Sequence, residues 1–395
     1  MEQAAAGEQP ISGEASEQEA LPGLLLPAVP PRPSMLEAPV ATQVPFEVAL
    51  LALGSVRGMG TKALRSIVRD FGERLGVLFE LEPEVLRDAL ARSRVPTNAA
   101  QEVANSGARL VEDAAAAADR LAIRGVRVVG PAHVPKRLAS LPDGPLWLFV
   151  EGDPDALAAG PHVAVVGTRK ASAEGVRATE AAVRTMAAYP MTLVSGLANG
   201  IDAAAHDAAL RDGVRNVAFL GHGTDLVFPA ETAHLRAMIV HSGGCVASEY
   251  LPGERYRKAQ FVQRNRLQAG LADLVVAAEG EYTGGTAHTV RFATSYKRPL
   301  IGFTWPGAGD LTRAVAEQPT GQLLDIFDPA GRRAFDARCR ALANAYGHSA
   351  FGLQLVERQL QREAQLRQLT PEDFKRLRAR IDQLEQRGAT WPSEQ

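Results

Sequence analysis

From Val126 onward the chain changes its hydrophobic rhythm, and this change restricts the available folds more than any other feature. Short apolar, β-branched runs begin near Val163, Thr192, Asn216, Cys245, Asp273 and Pro299. Between them lie stretches of helical periodicity, Ala173 to Ala188, Asp202 to Arg211, Glu231 to His241, Arg264 to Leu271 and Gly285 to Tyr296. A run that is apolar throughout, with no polar alternation, is covered on both faces. A helix between successive strands is the crossover that parallel pairing requires. The pattern predicts an α/β fold, a doubly wound parallel sheet with helices on both faces.

The rest of the chain divides around that unit. Residues 1–44 are rich in Ala, Glu and Pro, with Pro30, Pro31 and Pro33 close together, and read as a disordered tail that buries too little apolar surface to offset its ordering entropy. Over residues 45–120 the apolar positions recur at helical spacing, as in Leu64, Ile67, Val68 and Phe71, punctuated by Gly58, Gly60 and Gly72; this is a small all-helical domain. The sheet domain is expected over 121–305. After Trp305 a linker with Pro306, Gly307 and Gly309 opens a helical C-terminal region over 306–395. One helix there is punctuated by Thr370 as N-cap, Pro371 in its first turn and Gly388 as its stop, with Phe374, Leu377, Ile381 and Leu384 as a packing stripe.

Several classes are disfavoured. Cys245 and Cys339 stand far apart without a CxxC partner, so neither a disulfide framework nor a zinc knuckle is indicated, which suits a reducing cytoplasm. Glu2, Glu8, Glu14, Glu17 and Glu19 precede Leu24, Leu25 and Leu26, where a secretory signal would start basic, and no run reaches membrane-spanning length. With a net charge of -2, nucleic-acid binding would have to come from a local basic patch.

Four turns at strand ends are suited to phosphate. Val163 to Val166 runs into Gly167, Thr168 and Arg169, which places a hydroxyl and a guanidinium at the carboxyl end of a strand, where open α/β sheets bind ligands. Ser195, Gly196, Leu197, Ala198, Asn199, Gly200, Ile201 and Asp202 lead into a helix whose free N–H groups can hold an anion. Gly221-His222-Gly223 and Thr283-Gly284-Gly285-Thr286 close two more strands. A glycine after a strand often serves turn geometry alone, so it is the combination that points to a site. No Walker lysine and no complete GxGxxG is present, so neither ATP nor NAD is expected and no cofactor is assigned. The segment Arg255 to Arg266 sets Arg255, Arg257, Lys258, Arg264 and Arg266 around Tyr256 and Phe261, the charge-and-ring composition of a single-strand binder; the alternative is a solvated loop with Phe261 in the core. Asp202 with His206, and His241 with Cys245, imitate acid/base or metal pairs, but neither has a third ligand nearby, and hydrogen bonding within the sheet-edge network is the simpler reading.

These motifs in this order resemble the DprA/Smf family of DNA-processing proteins. The resemblance rests on Gly167-Thr168-Arg169, Ser195 to Asp202 with Ala205 and His206, Gly221 to Asp225 with Pro229, Ser248-Glu249-Tyr250, and Phe261 to Arg266 with Ala269-Gly270-Leu271. Leu141 to Asp153 is similar to that family's lead-in to its Rossmann-like domain. Val56-Arg57-Gly58-Met59-Gly60 is similar to its sterile-alpha-motif or helix-hairpin-helix module. The resemblance implies a cytoplasmic, non-enzymatic protein that binds single-stranded DNA, protects it and helps load the recombinase RecA, often as a homodimer. It also implies roles for residues. Arg169 and Lys258 would contact phosphate, Phe261 would pack on a base, and Gly167, Thr168, Ser195 and Gly196 would shape the pocket floor. Gly200, Arg264, Asn265, Arg266, Gly284, Gly285 and Thr286 complete the expected DNA-contacting set. The chain departs from the family pattern at Ala259, Gln260 and Val262, where Gly, Asn and Pro are common. Two other classes compete. A phosphoribohydrolase of the related LOG group shares the Gly284-Gly285-Thr286 turn, but Ala287, His288 and Thr289 follow where it needs a carboxylate. A nucleotide-sensing module is the other.

Overall fold

A computed structural model describes residues 43–347. The tail expected over most of 1–44 and the helix expected from Thr370 to Gly388 lie outside the described residues. Four helices come first: α1 (Phe46–Ser55), α2 (Thr61–Phe71), α3 (Pro83–Arg92) and α4 (Thr97–Ile123). The spacing of α2 puts Leu64, Ile67 and Val68 on its buried face, as the periodicity required. There follow β1 (Val126–Val129), α5 (Lys136–Ala139), β2 (Leu148–Gly152), β3 (His162–Gly167), α6 (Ala173–Met186), β4 (Thr192–Ser195), α7 (Ile201–Arg211) and β5 (Arg215–Phe219). The remainder is α8 (Ala233–His241), β6 (Cys245–Ser248), α9 (Lys258–Leu271), β7 (Leu274–Glu279), α10 (Gly285–Ser295), β8 (Leu300–Phe303), α11 (Leu311–Ala316), β9 (Gly321–Leu324) and α12 (Pro329–Gly347).

The nine strands form one sheet in the order β1-β2-β6-β5-β4-β3-β7-β8-β9. From β6 to β9 every pairing is parallel, while β1 and β2 join antiparallel at one side. The winding starts at β3, proceeds outward through β4, β5 and β6, then returns to lay β7 on the other side of β3. This reversal is the topological switch of a doubly wound, Rossmann-like sheet. Both faces are dry. Val163 and Val165 pack with α6, α7 and α12 on one side, whereas Ala164 and Val166 pack with α9, α10 and α11 on the other, which is why β3 reads as an unbroken apolar run.

Three features were not drawn from the sequence. First, β1 and β2 add two antiparallel strands ahead of the parallel set. Second, the sheet continues past Trp305, since β9 pairs with β8 and Phe335 and Cys339 of α12 are buried in the same core as Phe303 and Trp305. The exposed Gln322 and Leu323 made β9 look like connecting chain. Third, α9 begins at Lys258, six residues before the expected Arg264, so the basic stretch Lys258–Gln263 is helix and not loop. Lys, Ala and Gln are good helix formers, and Val262 leaves intact the backbone donor that a proline would remove.

The helices α1 to α4 do not stand apart from the sheet. Trp147 and Phe149 of the β2 strand region share one buried cluster with Leu50, Leu53, Leu64 and Ile67. Glu249, just after β6, makes the polar part of this junction. Its carboxylate accepts from Arg65 of α2 at 3.0 Å and from Arg266 of α9, and its backbone carbonyl accepts from the Trp147 indole at 2.8 Å. Both guanidinium groups are largely buried, so removing the carboxylate takes away their shared counter-charge and leaves Arg65 the Gly144 carbonyl and Arg266 the Asp143 carboxylate at 3.7 Å. Glu249→Ala is expected to cost about 3–5 kcal/mol of stability. Urea unfolding checks this, and a loss below about 1 kcal/mol would show that the bridge contributes little.

Candidate nucleic-acid interface

The carboxyl ends of β3, β4 and β5 open into a cavity of about 280 Å³. Arg169 and Lys170 line it after β3, Gly196, Ala198 and Asn199 after β4, and Leu220, Gly221 and His222 after β5. Phe228, Pro229 and Phe261 complete the wall. Segments far apart in sequence therefore meet at one edge of the sheet, as the winding requires.

Arg264 positions much of this wall. Its guanidinium is buried at the base of α9 and donates to the backbone carbonyls of Gly196 (2.6 Å) and Phe219, the chain ends of β4 and β5. Gly196 must be glycine here, because a Cβ would lie 2.2 Å from the Arg264 Nη1. Asp202 is buried nearby. Burial pushes its carboxyl up, and the positive charge of Arg264 opposes that shift.

His206 supports the second turn. Its Nε2 accepts from the Leu197 N–H at 3.3 Å, and its Nδ1 faces the Asn216 side-chain oxygen at 2.9 Å, so the neutral ring carries its proton on Nδ1. Leu197 has φ of 54°, the left-handed region that a branched side chain rarely enters, and this hydrogen bond holds it there. The Asp202 and His206 pair is therefore part of the scaffold. Among the described residues no group of three or more His, Cys, Asp or Glu is placed to hold a metal.

The residues singled out in the sequence separate into two sets. Arg169 and Lys258 are exposed, and the Arg169 guanidinium sits 4.9 Å from the ring centroid of the half-buried Phe261. Asn265 donates weakly to the Gly285 carbonyl at 3.4 Å, so the Gly284-Gly285-Thr286 turn at the start of α10 adjoins α9, although it does not line the cavity. The others are engaged internally. Ser195 Oγ donates to the Val165 carbonyl at 2.7 Å. The Thr168 carbonyl accepts from the Ile201 N–H at 3.1 Å, which uses part of the α7 N-terminus expected to serve an anion. Gly167 is pressed against Ile201, and Gly200, with φ of 80°, against the Thr168 carbonyl. Arg264 and Arg266 hold carbonyls and Glu249, so of the five clustered cations only Arg255, Arg257 and Lys258 are exposed. A contact pattern alone could have suggested this division, since positions 260, 264, 267, 268 and 271 follow helical spacing toward the sheet.

Sequence reasoning did not single out Phe228, which forms a ring cluster with Tyr256 and Phe261. Phe228 and Tyr256 stack with centroids 3.8 Å apart, and Phe261 is tilted against both at 5.8 and 5.9 Å. A turn after β5, held through Arg236, brings Phe228 there. That buried guanidinium donates to the Leu226 carbonyl at 2.6 Å, to the Thr224 carbonyl and to Glu151.

A doubly wound sheet with a cationic, ring-walled cavity over its carboxyl edge defines the class, a Rossmann-like ligand-binding domain. Residues 126–317 match the family of DNA recombination-mediator protein A. The DNA processing protein DprA of Streptococcus pneumoniae is 38% identical over 174 residues, 44% of this chain and 60% of that protein. Protein Smf of Synechocystis is 34% identical over 183 residues, 46% of this chain and 45% of that one. The X-ray structure of DprA from Streptococcus pneumoniae superposes with a TM-score of 0.52 at 26% identity, covering 74% of this chain and 92% of that one. Over residues 126–317 the chain carries a domain of the DprA/Smf type. The sequence matches span about half the length of these curated relatives.

Burial pushes the His206 ring down from 6.5 to about 4, against the raising effect of Asn216. The unfolded chain then takes up the proton first, so stability falls as pH drops below about 6.5, and this loss stops growing near pH 4. From pH 7 to pH 5 the contribution is about 2 kcal/mol. Urea unfolding of the unaltered protein and of His206→Gln should show their stability gap shrinking by that amount. A gap independent of pH would show that the ring is not held neutral.

Proposed function

We propose that the protein binds single-stranded DNA across the carboxyl edge of β3, β4 and β5, acting by binding and not by catalysis. The observation that carries this reading is the exposed Arg169 over the Phe261 ring at one cavity, with the exposed Lys258 three residues before Phe261 in the first turn of α9. Cations along a groove neutralise a phosphate backbone, and an aromatic face stacks on any base, so the combination favours unpaired strands with little regard to sequence. Arg264, Arg266 and Ser195 would shape the groove from behind. The Gly284-Gly285-Thr286 turn would extend it beyond Asn265.

The match of residues 126–317 to a recombination-mediator family supports the wider reading. The protein would protect incoming or exposed strands and hand them to a RecA-type recombinase, as a homodimer in the cytoplasm. Among the described residues no helix is long and apolar enough to cross a membrane. The absence of a carboxylate after Gly284-Gly285-Thr286 and of a Walker lysine supports a role without turnover.

Binding isotherms on a thymidine oligomer over a range of salt concentrations test the proposal. Single strands should bind more tightly than the matching duplex. Arg169→Ala and Lys258→Ala should each weaken binding and reduce the salt slope by about one unit. Phe261→Ala should cost roughly 1–3 kcal/mol of binding with the slope nearly unchanged. Equal affinity for duplex, or affinity insensitive to salt, would refute the reading. Turnover of a nucleoside monophosphate that is lost on mutating Gly285 would favour the phosphoribohydrolase class instead.

A further inference from the structure

Of the three clustered rings, Phe228 and Phe261 line the cavity and Tyr256 does not. The Phe261 ring lies under the Arg169 guanidinium and against Gly221, where even a Cβ would come within 2.7 Å of its Cδ1. Phe228 is half-buried and gives a ring face to Tyr256 at 3.8 Å and 21°. Tyr256 is 47% exposed although it takes part in that stack. This open ring is preceded in sequence by Arg255 and followed by Arg257 and Lys258, all exposed, the pairing of ring and cations that single-strand binders use.

We propose that Tyr256 is a second stacking platform for a nucleobase, set outside the cavity, so that neighbouring nucleotides of one strand engage Phe261 and Tyr256 in turn. The inference rests on the single-strand reading above and adds to it a residue and a geometric source of selectivity. Phe228 fixes the plane of Tyr256 from behind, so the platform is pre-formed and a base adds to a stack already two rings deep. Tyr256 and Phe261 are inclined at 39° with centroids 5.9 Å apart. Bases in a continuous helical stack keep nearly parallel planes at a rise of about 3.4 Å. Two bases seated on rings so disposed are splayed, which an unpaired strand permits and a duplex resists. Arg255 and Arg257 then lie beside the backbone that joins them. No duplex end satisfies both rings without breaking its terminal stack.

Two single-stranded oligomers, a duplex and four variants test this. Tyr256→Ala should weaken binding of a thymidine oligomer about tenfold, while Tyr256→Phe, which keeps the ring, should stay within about twofold of the unaltered protein. On an oligomer of abasic sugar-phosphate units of equal length, the unaltered protein and Tyr256→Ala should bind alike, since no base remains to stack. The indole emission of Tyr256→Trp should change on adding the thymidine oligomer and not on adding the abasic one. If Tyr256→Ala binds thymidine as the unaltered protein does, while Phe261→Ala still weakens it, Tyr256 is not a platform and the single-strand reading survives. If Tyr256→Ala weakens the abasic oligomer equally, the ring acts through packing and the inference fails. If the unaltered protein binds no single strand better than a duplex, the underlying reading fails first.

Discussion

The buried guanidinium of Arg264 is the contact on which the rest of the interface depends. A charge taken out of water must be repaid by partners, and Arg264 finds them in two backbone carbonyls at the ends of adjacent parallel strands, with Asp202 nearby as counter-charge. Those carbonyls stand where β4 and β5 end. One side chain thus closes two strand ends and fixes α9 across them. The first turn of α9 then brings Phe261 to the cavity wall, with Lys258 at the start of that turn. Both bonds leave the same terminal nitrogen, Nη1, so a single buried NH2 group bridges the two strand ends.

The sheet was readable because its chemistry is repetitive. Six apolar runs and the helices between them give the parallel core, and each of the six is a strand within a residue or two of its expected start. What escaped was short or mixed. β1 alternates Arg127 with valines, and β9 is half exposed, so neither carries the unbroken apolar signature of a strand covered on both faces. The early start of α9 was hidden by the family pattern, in which Gly and Pro would hold the chain extended. Read on propensity alone, Lys258, Ala259 and Gln260 point to helix.

The interface was legible as a list of segments and less so as a list of roles. Arg169 and Phe261 meet at the cavity, yet Arg264 and Arg266, alike in the sequence, are engaged inside the fold. Charge content cannot distinguish a guanidinium that faces water from one that is held inside; helix phase sets Arg264 on the buried stripe with Gln260, Leu267, Gln268 and Leu271, whereas Arg266 lies off that stripe and is held by Glu249. His206 belongs to the same lesson. In sequence the simpler reading was hydrogen bonding at the sheet edge, and in the fold its bonds to Leu197 and Asn216 keep a leucine in a backbone region leucine avoids. Phe228 carried no signal, because its place depends on Arg236 drawing a turn back onto Glu151.

The cluster shared by α1, α2 and β2 has a consequence for how this chain can be divided. The family match begins at residue 126, which invites the view that everything before it is an appendage. Yet Trp147 and Phe149 lie beyond that boundary and are covered by side chains that lie before it. A chain started at residue 126 would keep every strand of the sheet and expose a large indole and a phenyl ring, with Glu249 left to Arg266 alone. Such a fragment should bind environment-sensitive dyes and self-associate, and a monodisperse, dye-silent fragment would show otherwise. The helices therefore act as the missing half of a core. Shuffling in other N-terminal modules would require each newcomer to bring its own lid for those two rings.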